Sequence, residues 1–390
     1  MRNQYISVLR LIPMDVLLVE PAYYTRYPPL GLMKISAYRK SLADKVRMVR
    51  GLQGPIEGFA PRRIEITSLF TYAWKPVHEA IEHYHKLYPN ASICVGGIYA
   101  SLYPDRIKEH FPYADVHVGL NTEAEKYMPD YDILEHTDAW KGWDGSIMFT
   151  SRGCVNKCPF CLVPTMEGEM RSVLDDPVQH THPDHKRIIL WDNNFLALEN
   201  WEDRIHALRR CGKIVDFNQG LDARLMTQEK ADALASLKLK DIKMAYDGPH
   251  EKRAVHRAVD MLESAGVSRR KISFYTLYNF YDYKSNFYDT PEEFYGRVKD
   301  ILDIGCASYP MRYIPLKALE KNTYVSPFWT KEQLEAVAKA RRVIGFGGAF
   351  PPYDALVEKF NKAGCFDEAF RLEPPAPSEV APRRQLEVEN

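Results

Sequence analysis

Three cysteines on one short stretch are the residues of this sequence with the clearest chemistry. They have the spacing Cys154-x3-Cys158-x2-Cys161 and follow the apolar run 147–149. Three thiolates on one loop can ligate a single iron–sulfur cluster, for which cysteine is the usual protein ligand. With three such ligands, one iron of a 4Fe–4S cluster would stay open to a group that is not part of the protein.

The stretch also carries Phe160 directly before its third cysteine, and in this form it resembles the cluster-binding loop of the radical S-adenosylmethionine (SAM) superfamily. In that family SAM chelates the open iron, and one electron from the cluster cleaves SAM to methionine and a 5′-deoxyadenosyl radical. The resemblance implies that Cys154, Cys158 and Cys161 are the cluster ligands and that Phe160 lies against the adenine. It further implies an external one-electron reductant, similar to flavodoxin or ferredoxin, and a substrate that the sequence leaves unidentified.

Two other functions would use the same cysteines. In the first, the loop holds zinc in a binding protein without catalysis. A closed zinc site needs four ligands, and only the loose group His180, His182 and His185 lies near enough in the sequence to add one. In the second, the protein transfers electrons, which normally requires a cluster with four cysteine ligands. The three-cysteine spacing favours SAM cleavage over both.

The composition is that of a globular protein with room for two domains. The 390 residues carry 52 basic and 52 acidic side chains, so no overall field directs the chain to nucleic acid or to an anionic membrane. A nucleic-acid partner is neither supported nor excluded. Arg10, Pro13 and Asp15 interrupt the apolar stretch 8–19, which therefore predicts neither a signal peptide nor a membrane span. The cysteines outside the loop are scattered, which indicates a reducing cytoplasm.

Residues 1–140 predict an α/β domain, with strands at 15–21, 64–69 and 91–97. Segments 28–32, 95–104 and 114–119 resemble the cobalamin-binding-type domain that precedes many radical SAM cores, which implies a Rossmann-like parallel sheet. The family's cobalt-ligating Asp-x-His-x2-Gly motif is absent, and Tyr99 stands where the family has a histidine. These departures favour a reaction without cobalamin, with a cobalamin-dependent methyltransferase as the alternative.

Residues 141–315 alternate strand patterns with helical patterns. Strands are predicted at 147–151, 188–192, 215–219, 242–247, 272–278 and 309–314, and Thr227 and Thr290 are predicted helix N-caps. Such alternation favours a parallel sheet of βαβ units, and it resembles the partial (βα)6 barrel of radical SAM enzymes. A helical extension is predicted over 316–372, with a loop at 344–353 that either closes over the substrate or reverses the chain. A disordered tail is predicted over 373–390.

The predicted strand ends are polar, and function in parallel barrels gathers at the carboxyl ends of the strands. Asp192, Asn193 and Asn194 follow the second barrel strand. By resemblance they lie near the methionine part of SAM, although such a run is also typical of a turn.

The third and fourth strand ends supply further candidates. Gln219, Asp222 and Arg224 follow the third strand. Arg224 either pairs with the SAM carboxylate, which suits a guanidinium fork, or forms a structural ion pair with Asp222. By resemblance Asp247, after the fourth strand, faces the SAM ribose. After the fifth strand, aromatic residues replace the glycines typical of the family and residues 281–288 are inserted, which predicts an altered pocket wall.

Overall fold

The N-terminal part of the chain forms a parallel sheet covered on both faces. The computed structural model describes residues 13–345 and 353–371; the predicted tail and most of the predicted loop at 344–353 lie outside them. The strands are β1 (Asp15–Glu20), β2 (Lys45–Arg50), β3 (Arg63–Ser68), β4 (Ser92–Gly97) and β5 (Ala114–Val116). The helices are α1 (Leu30–Ser41), α2 (Trp74–Leu87), α3 (Ile98–Leu102) and α4 (Pro104–His110). The strand order β2-β1-β3-β4-β5 confirms the predicted Rossmann-like domain.

Strand β1 is apolar along its length because both of its faces are buried. Val16 and Leu18 pack in one core with residues of α1, whereas Leu17 and Val19 pack in a second core with residues of α2. Strand β2 lies at the edge of the sheet, and buried apolar residues alternate along it with exposed or half-buried charged ones. That strand is missing from the prediction, because its charged residues interrupt the apolar run that marks a central strand.

The next part of the chain forms a partial barrel. Its strands are β6 (Gly145–Met148), β7 (Ser151–Arg152), β8 (Arg171–Ser172), β9 (Arg187–Leu190), β10 (Ile214–Phe217), β11 (Lys238–Leu239), β12 (Ile242–Ala245), β13 (Ile272–Tyr278), β14 (Tyr281–Asp282), β15 (Phe287–Tyr288) and β16 (Ala307–Arg312). Its helices are α5 (Val163–Met166), α6 (Trp201–Cys211), α7 (Gln228–Ala235), α8 (Lys252–Ser264) and α9 (Pro291–Asp303). The alternation of strands and helices is the predicted one.

The barrel consists of two parallel sheets that meet at Leu221. One sheet has the order β11-β10-β9-β6 and the other the order β12-β13-β16. Leu221 forms a parallel bridge with Met244 of β12, and its N–H donates to the Lys243 carbonyl over 2.7 Å. The six long parallel strands thus follow each other as β6, β9, β10, β12, β13 and β16, which confirms the predicted partial (βα)6 barrel.

Strand β6 forms one edge of this barrel, and a tyrosine from the preceding segment covers it. The buried Tyr131 hydroxyl accepts a hydrogen bond from the Ile147 N–H over 2.7 Å and donates one to the Ile147 carbonyl over 3.3 Å. One phenol therefore satisfies both backbone groups that Ile147 presents at the open edge.

Three helices complete the described part of the chain: α10 (Lys331–Gly345), α11 (Tyr353–Lys362) and α12 (Phe366–Phe370). They share a core with α9 that contains Phe294, Trp329 and Phe360. The predicted N-caps are confirmed, since the Thr227 hydroxyl accepts from the Lys230 N–H and the Thr290 hydroxyl from the Glu293 N–H. Over the ranges described, none of the helices is long and apolar enough to cross a membrane.

Candidate active site

The buried carboxylate of Asp192 lies beside the residues that lead into the cysteine loop. Asp192 lies just beyond the end of β9 and is 3% exposed. Its Oδ1 accepts hydrogen bonds from the backbone N–H and the hydroxyl of both Thr150 and Ser151, at 2.6 to 3.1 Å. Burial raises the pKa of Asp192, and these hydrogen bonds oppose that rise. The carboxylate therefore fixes the turn that carries the chain from β6 into the cysteine loop.

A second carboxylate holds the two ends of the loop together. Glu167 follows α5, and its Oε2 accepts from the Gly153 N–H and from the Asn193 side chain, each over 2.9 Å. Its Oε1 accepts from Arg152 over 3.0 Å. Glu167 was not predicted from the sequence, because nothing in its spacing from the cysteines marks it as a partner of Gly153.

An ion-pair chain connects this loop to the N-terminal domain. Arg152 donates to Glu125 Oε2 over 2.9 Å, and Lys34 of α1 donates to the same oxygen over 3.1 Å. Burial alone would raise the pKa of Glu125, but the charges of Arg152 and Lys34 hold it below its usual value. Glu125 was also not predicted from the sequence.

The three predicted cluster ligands lie on one loop, and each is partly exposed. The Cys154 sulfur accepts from the Asn156 N–H over 3.3 Å, and the Cys161 N–H donates to the Cys158 carbonyl over 3.0 Å. Burial raises the pKa of Cys158 to about 11, and the nearby Cys161 adds to the rise. Among residues 13–345 and 353–371, no three His, Cys, Asp or Glu side chains are arranged as ready metal ligands.

Polar side chains from two strand ends surround Cys154. Asn194 is 2% exposed, and its Nδ2 lies 3.8 Å from the Cys154 sulfur and 3.2 Å from Asp222 Oδ2. Asp222 also accepts from the Asn156 side chain over 3.0 Å and from Arg224 over 2.8 Å. Burial would raise the pKa of Asp222, but hydrogen bonds from Arg224 and Asn156 hold it below its usual value.

The ion pair between Asp222 and Arg224, which was one of two predicted roles for Arg224, is thus present. The Asn194 Oδ1 atom is buried and has no hydrogen-bond partner within the described residues.

Two further predicted residues have different surroundings. Asp247 follows β12, and its Oδ1 accepts from the Leu277 N–H over 3.1 Å. Burial, together with the charge of Glu251, raises the pKa of Asp247 to about 7. Gln219 is exposed to solvent, and the structure does not bring it into the network around the cysteines.

Phe160 packs against an aromatic wall. Its ring centre lies 5.4 Å from that of Phe280 and 6.0 Å from that of Phe287. The predicted insertion at 281–288 forms the two-stranded hairpin of β14 and β15, and Phe287 belongs to it. An aromatic hairpin thus lies beside Phe160, at the position where the sequence predicts an altered pocket wall.

The loop between β1 and α1 reaches the barrel. The Tyr27 hydroxyl donates to Asn218 Oδ1, at the end of β10, over 2.6 Å. The ring also contacts Trp191 at the end of β9, edge to face, with 5.5 Å between the ring centres. Tyr27 was not a predicted site residue, because a contact across 191 positions of sequence leaves no local pattern.

Comparison with known proteins finds similarity to a curated protein and to solved structures. No family model matches the chain. A curated tRNA-2-methylthio-N(6)-dimethylallyladenosine synthase of Corynebacterium urealyticum is 25% identical over 163 residues, which cover 32% of this chain and 29% of that protein. The chain therefore matches less than a third of that relative's length.

The solved structures that resemble the chain include two of the radical SAM methyltransferase TsrM from Kitasatospora setae. One, with cobalamin and a 4Fe–4S cluster bound, has a TM-score of 0.59 at 14% identity and covers 78% of this chain and 77% of that one. The other, with tryptophan substrate and the SAM analog aza-SAM, has a TM-score of 0.57 at 14% identity, with 78% and 75% covered. This likeness concerns the fold.

Proposed function

We propose that the protein is a radical SAM enzyme whose Cys154, Cys158 and Cys161 thiolates hold a 4Fe–4S cluster. When bound, the cluster and SAM supply a 5′-deoxyadenosyl radical that abstracts a hydrogen atom from the substrate. The observation that carries the proposal is the position of the three-cysteine loop at the carboxyl ends of the parallel barrel strands, beside Asn194 and Asp222.

The side chains around the loop suit these groups. Thiolates are the usual protein ligands of an iron–sulfur cluster, and three of them would leave one iron open to SAM. The unpartnered Oδ1 of Asn194 is a buried acceptor next to Cys154, and an acceptor of this kind suits the ammonium group of SAM, since a buried acceptor left unpaired is unfavourable. Phe160 and the β14–β15 hairpin supply aromatic faces for the adenine and exclude water.

In this proposal, the carboxylates of Asp192 and Asp247 have different roles, one structural and one in binding SAM. Asp192 accepts four hydrogen bonds at its Oδ1 from Thr150 and Ser151, and we assign it to holding the loop rather than to contacting SAM. Asp247 has one backbone partner, Leu277, and keeps a second carboxyl oxygen to accept from a ribose hydroxyl.

We further propose that the reaction proceeds without cobalamin. Ligands of open α/β sheets bind beyond the carboxyl ends of the strands, and here that edge of the N-terminal sheet is covered by the chain. The Thr71 hydroxyl, just after β3, donates to the Ala318 carbonyl over 2.6 Å, and the Tyr103 hydroxyl donates to the Lys317 carbonyl over 2.6 Å. Tyr99 is buried against His78, 2.7 Å from its ring nitrogen. Cobalamin-dependent methyl transfer is the second candidate, because the solved TsrM structures share the fold and one has cobalamin bound.

Anaerobic reconstitution with iron and sulfide tests the proposal. We expect about four irons per chain, a brown protein, and 5′-deoxyadenosine when SAM and dithionite are added. Cys158→Ala should abolish both cluster assembly and the formation of 5′-deoxyadenosine. Cys211→Ala, which changes a cysteine outside the loop, should leave both unchanged. Colourless protein with one zinc, or 5′-deoxyadenosine from Cys158→Ala, would contradict the proposal.

The cobalamin question has its own measurement. Hydroxocobalamin added to the reconstituted protein should pass through a desalting column unbound. Retention of one cobalamin per chain would favour the methyltransferase. In cells, we propose that a flavodoxin- or ferredoxin-like protein of the cytoplasm supplies the electron, which purified flavodoxin in place of dithionite tests directly.

A further inference from the structure

The cysteine loop begins with a buried cation. Arg152, two residues before Cys154, is 6% exposed. Its guanidinium donates to Glu167 over 3.0 Å and to Glu125 over 2.9 Å, and it lies 3.3 Å from the centre of the Phe149 ring. A buried charge is unfavourable unless it is paired. The position of Arg152 therefore depends on both carboxylates.

These two carboxylates belong to different parts of the molecule. Glu167 closes the cysteine loop on itself through the Gly153 N–H. Glu125 lies in a short turn after β5, in the N-terminal part of the chain, and also accepts from Lys34 of α1, whose side chain is 5% exposed. The chain Lys34–Glu125–Arg152–Glu167 thus continues without a break from α1 to the loop that carries the three cysteines.

We propose that Glu125 is a positioning residue through which the N-terminal domain orients the cysteine loop and sets the charge beside the cluster. The inference rests on the proposed function, and it gives the N-terminal domain a task in radical chemistry that needs no cobalamin. The side-chain partners of Glu125 among the described residues are Lys34 and Arg152, so it acts on the loop through Arg152. A neutral side chain at position 125 would leave two buried cations, Lys34 and Arg152, with one carboxylate partner fewer.

Hydrogen exchange in the metal-free full-length protein tests whether Glu125 orients the cysteine loop. Glu125→Gln keeps the shape of the side chain and removes its charge. Glu123→Gln is the matched control, because Glu123 is largely exposed and pairs with the exposed Lys126. We expect amides of residues 150–170 to exchange about tenfold faster in Glu125→Gln, as the loss of a charged hydrogen bond implies, and at the wild-type rate in Glu123→Gln. Unchanged exchange in Glu125→Gln would overturn the proposal.

A conservative variant covers the case in which Glu125→Gln does not fold. Glu125→Asp keeps the charge but shortens its reach, and we expect an intermediate rate of exchange confined to the same residues. Wild-type exchange in that variant would also overturn the proposal.

The reduction potential of the cluster tests whether Glu125 sets the charge beside it. After reconstitution, the midpoint potential should rise in Glu125→Gln, because the positive charge of Arg152 is less fully compensated, and Glu125→Asp should restore it. An unchanged potential would mean that Glu125 serves stability alone, against the proposal. If wild-type protein takes up no cluster, the proposed function fails, while the exchange result still decides whether Glu125 holds the loop.

Discussion

Gly153 offers a quantitative test of how tightly the cysteine loop is built. It has a φ of +78°, and a Cβ at this position would lie 2.7 Å from the Gly168 carbonyl oxygen and closer still to the carbonyl of Glu169. Both obstacles are backbone atoms, so a side-chain rotation cannot relieve the contact. In Gly153→Ala, the left-handed backbone costs about 1–2 kcal/mol. To make room, the segment 168–169 must move, and this movement also breaks the hydrogen bond from the Gly153 N–H to Glu167. That bond is worth roughly 1.5–3 kcal/mol.

Gly168→Ala is the matched control in the same loop. Gly168 has a φ of +73°, but a Cβ there meets nothing within 4 Å. It should lose only the conformational contribution of about 1–2 kcal/mol, whereas Gly153→Ala should lose roughly 2.5–5 kcal/mol in total. Urea unfolding followed by circular dichroism measures both losses, and iron per chain after reconstitution shows whether the loop still accepts a cluster. Equal losses in the two variants would refute the close packing inferred for Gly153.

Two other variants, at Glu20 and Tyr27, test contacts away from the cysteines. Burial raises the pKa of Glu20 to about 7, against the hydrogen bond from Trp140 and the charge of Arg50; since the folded state then binds the proton more strongly, stability should fall as pH rises from about 4.5 to 7. The fall should be about 3 kcal/mol larger in wild type than in Glu20→Gln, and parallel pH profiles of urea unfolding would contradict this. Tyr27→Phe should lower the free energy of unfolding by about 1 kcal/mol through the lost bond to Asn218, whereas Tyr24→Phe, at an 81% exposed position, should change nothing; equal effects would argue against the Tyr27 contact.

The fold was predictable because its main signals are local. Short apolar runs such as 188–192 and 242–247 mark buried parallel strands, and Thr227 and Thr290 mark helix starts. Strand β2 was not predicted, because charged and apolar residues alternate along an edge strand and its sequence then resembles that of a surface segment. The partial barrel followed from the regular alternation, which a sequence displays directly.

The partners of the site residues were less predictable, because they depend on contacts between distant parts of the chain. The cysteine spacing drew attention to one loop, but nothing in it indicated that Glu125, 27 residues before Arg152, would meet that arginine. Asp192 was singled out as a strand-end acid, while its hydrogen bonds to Thr150 depend on the register between β6 and β9. A polar residue at a strand end can serve equally to build a turn or to bind a ligand, and the choice depends on the neighbouring strand.

The Tyr131 hydroxyl bears on how the protein can be divided in the laboratory. A polypeptide starting at residue 141 would contain every barrel strand and all three loop cysteines but not Tyr131. Its first strand would present the free N–H and carbonyl of Ile147, a template on which a strand of another molecule can add. We therefore expect such a fragment to self-associate during purification, and a fragment that begins before residue 131 to be the more suitable one for crystallisation or reconstitution.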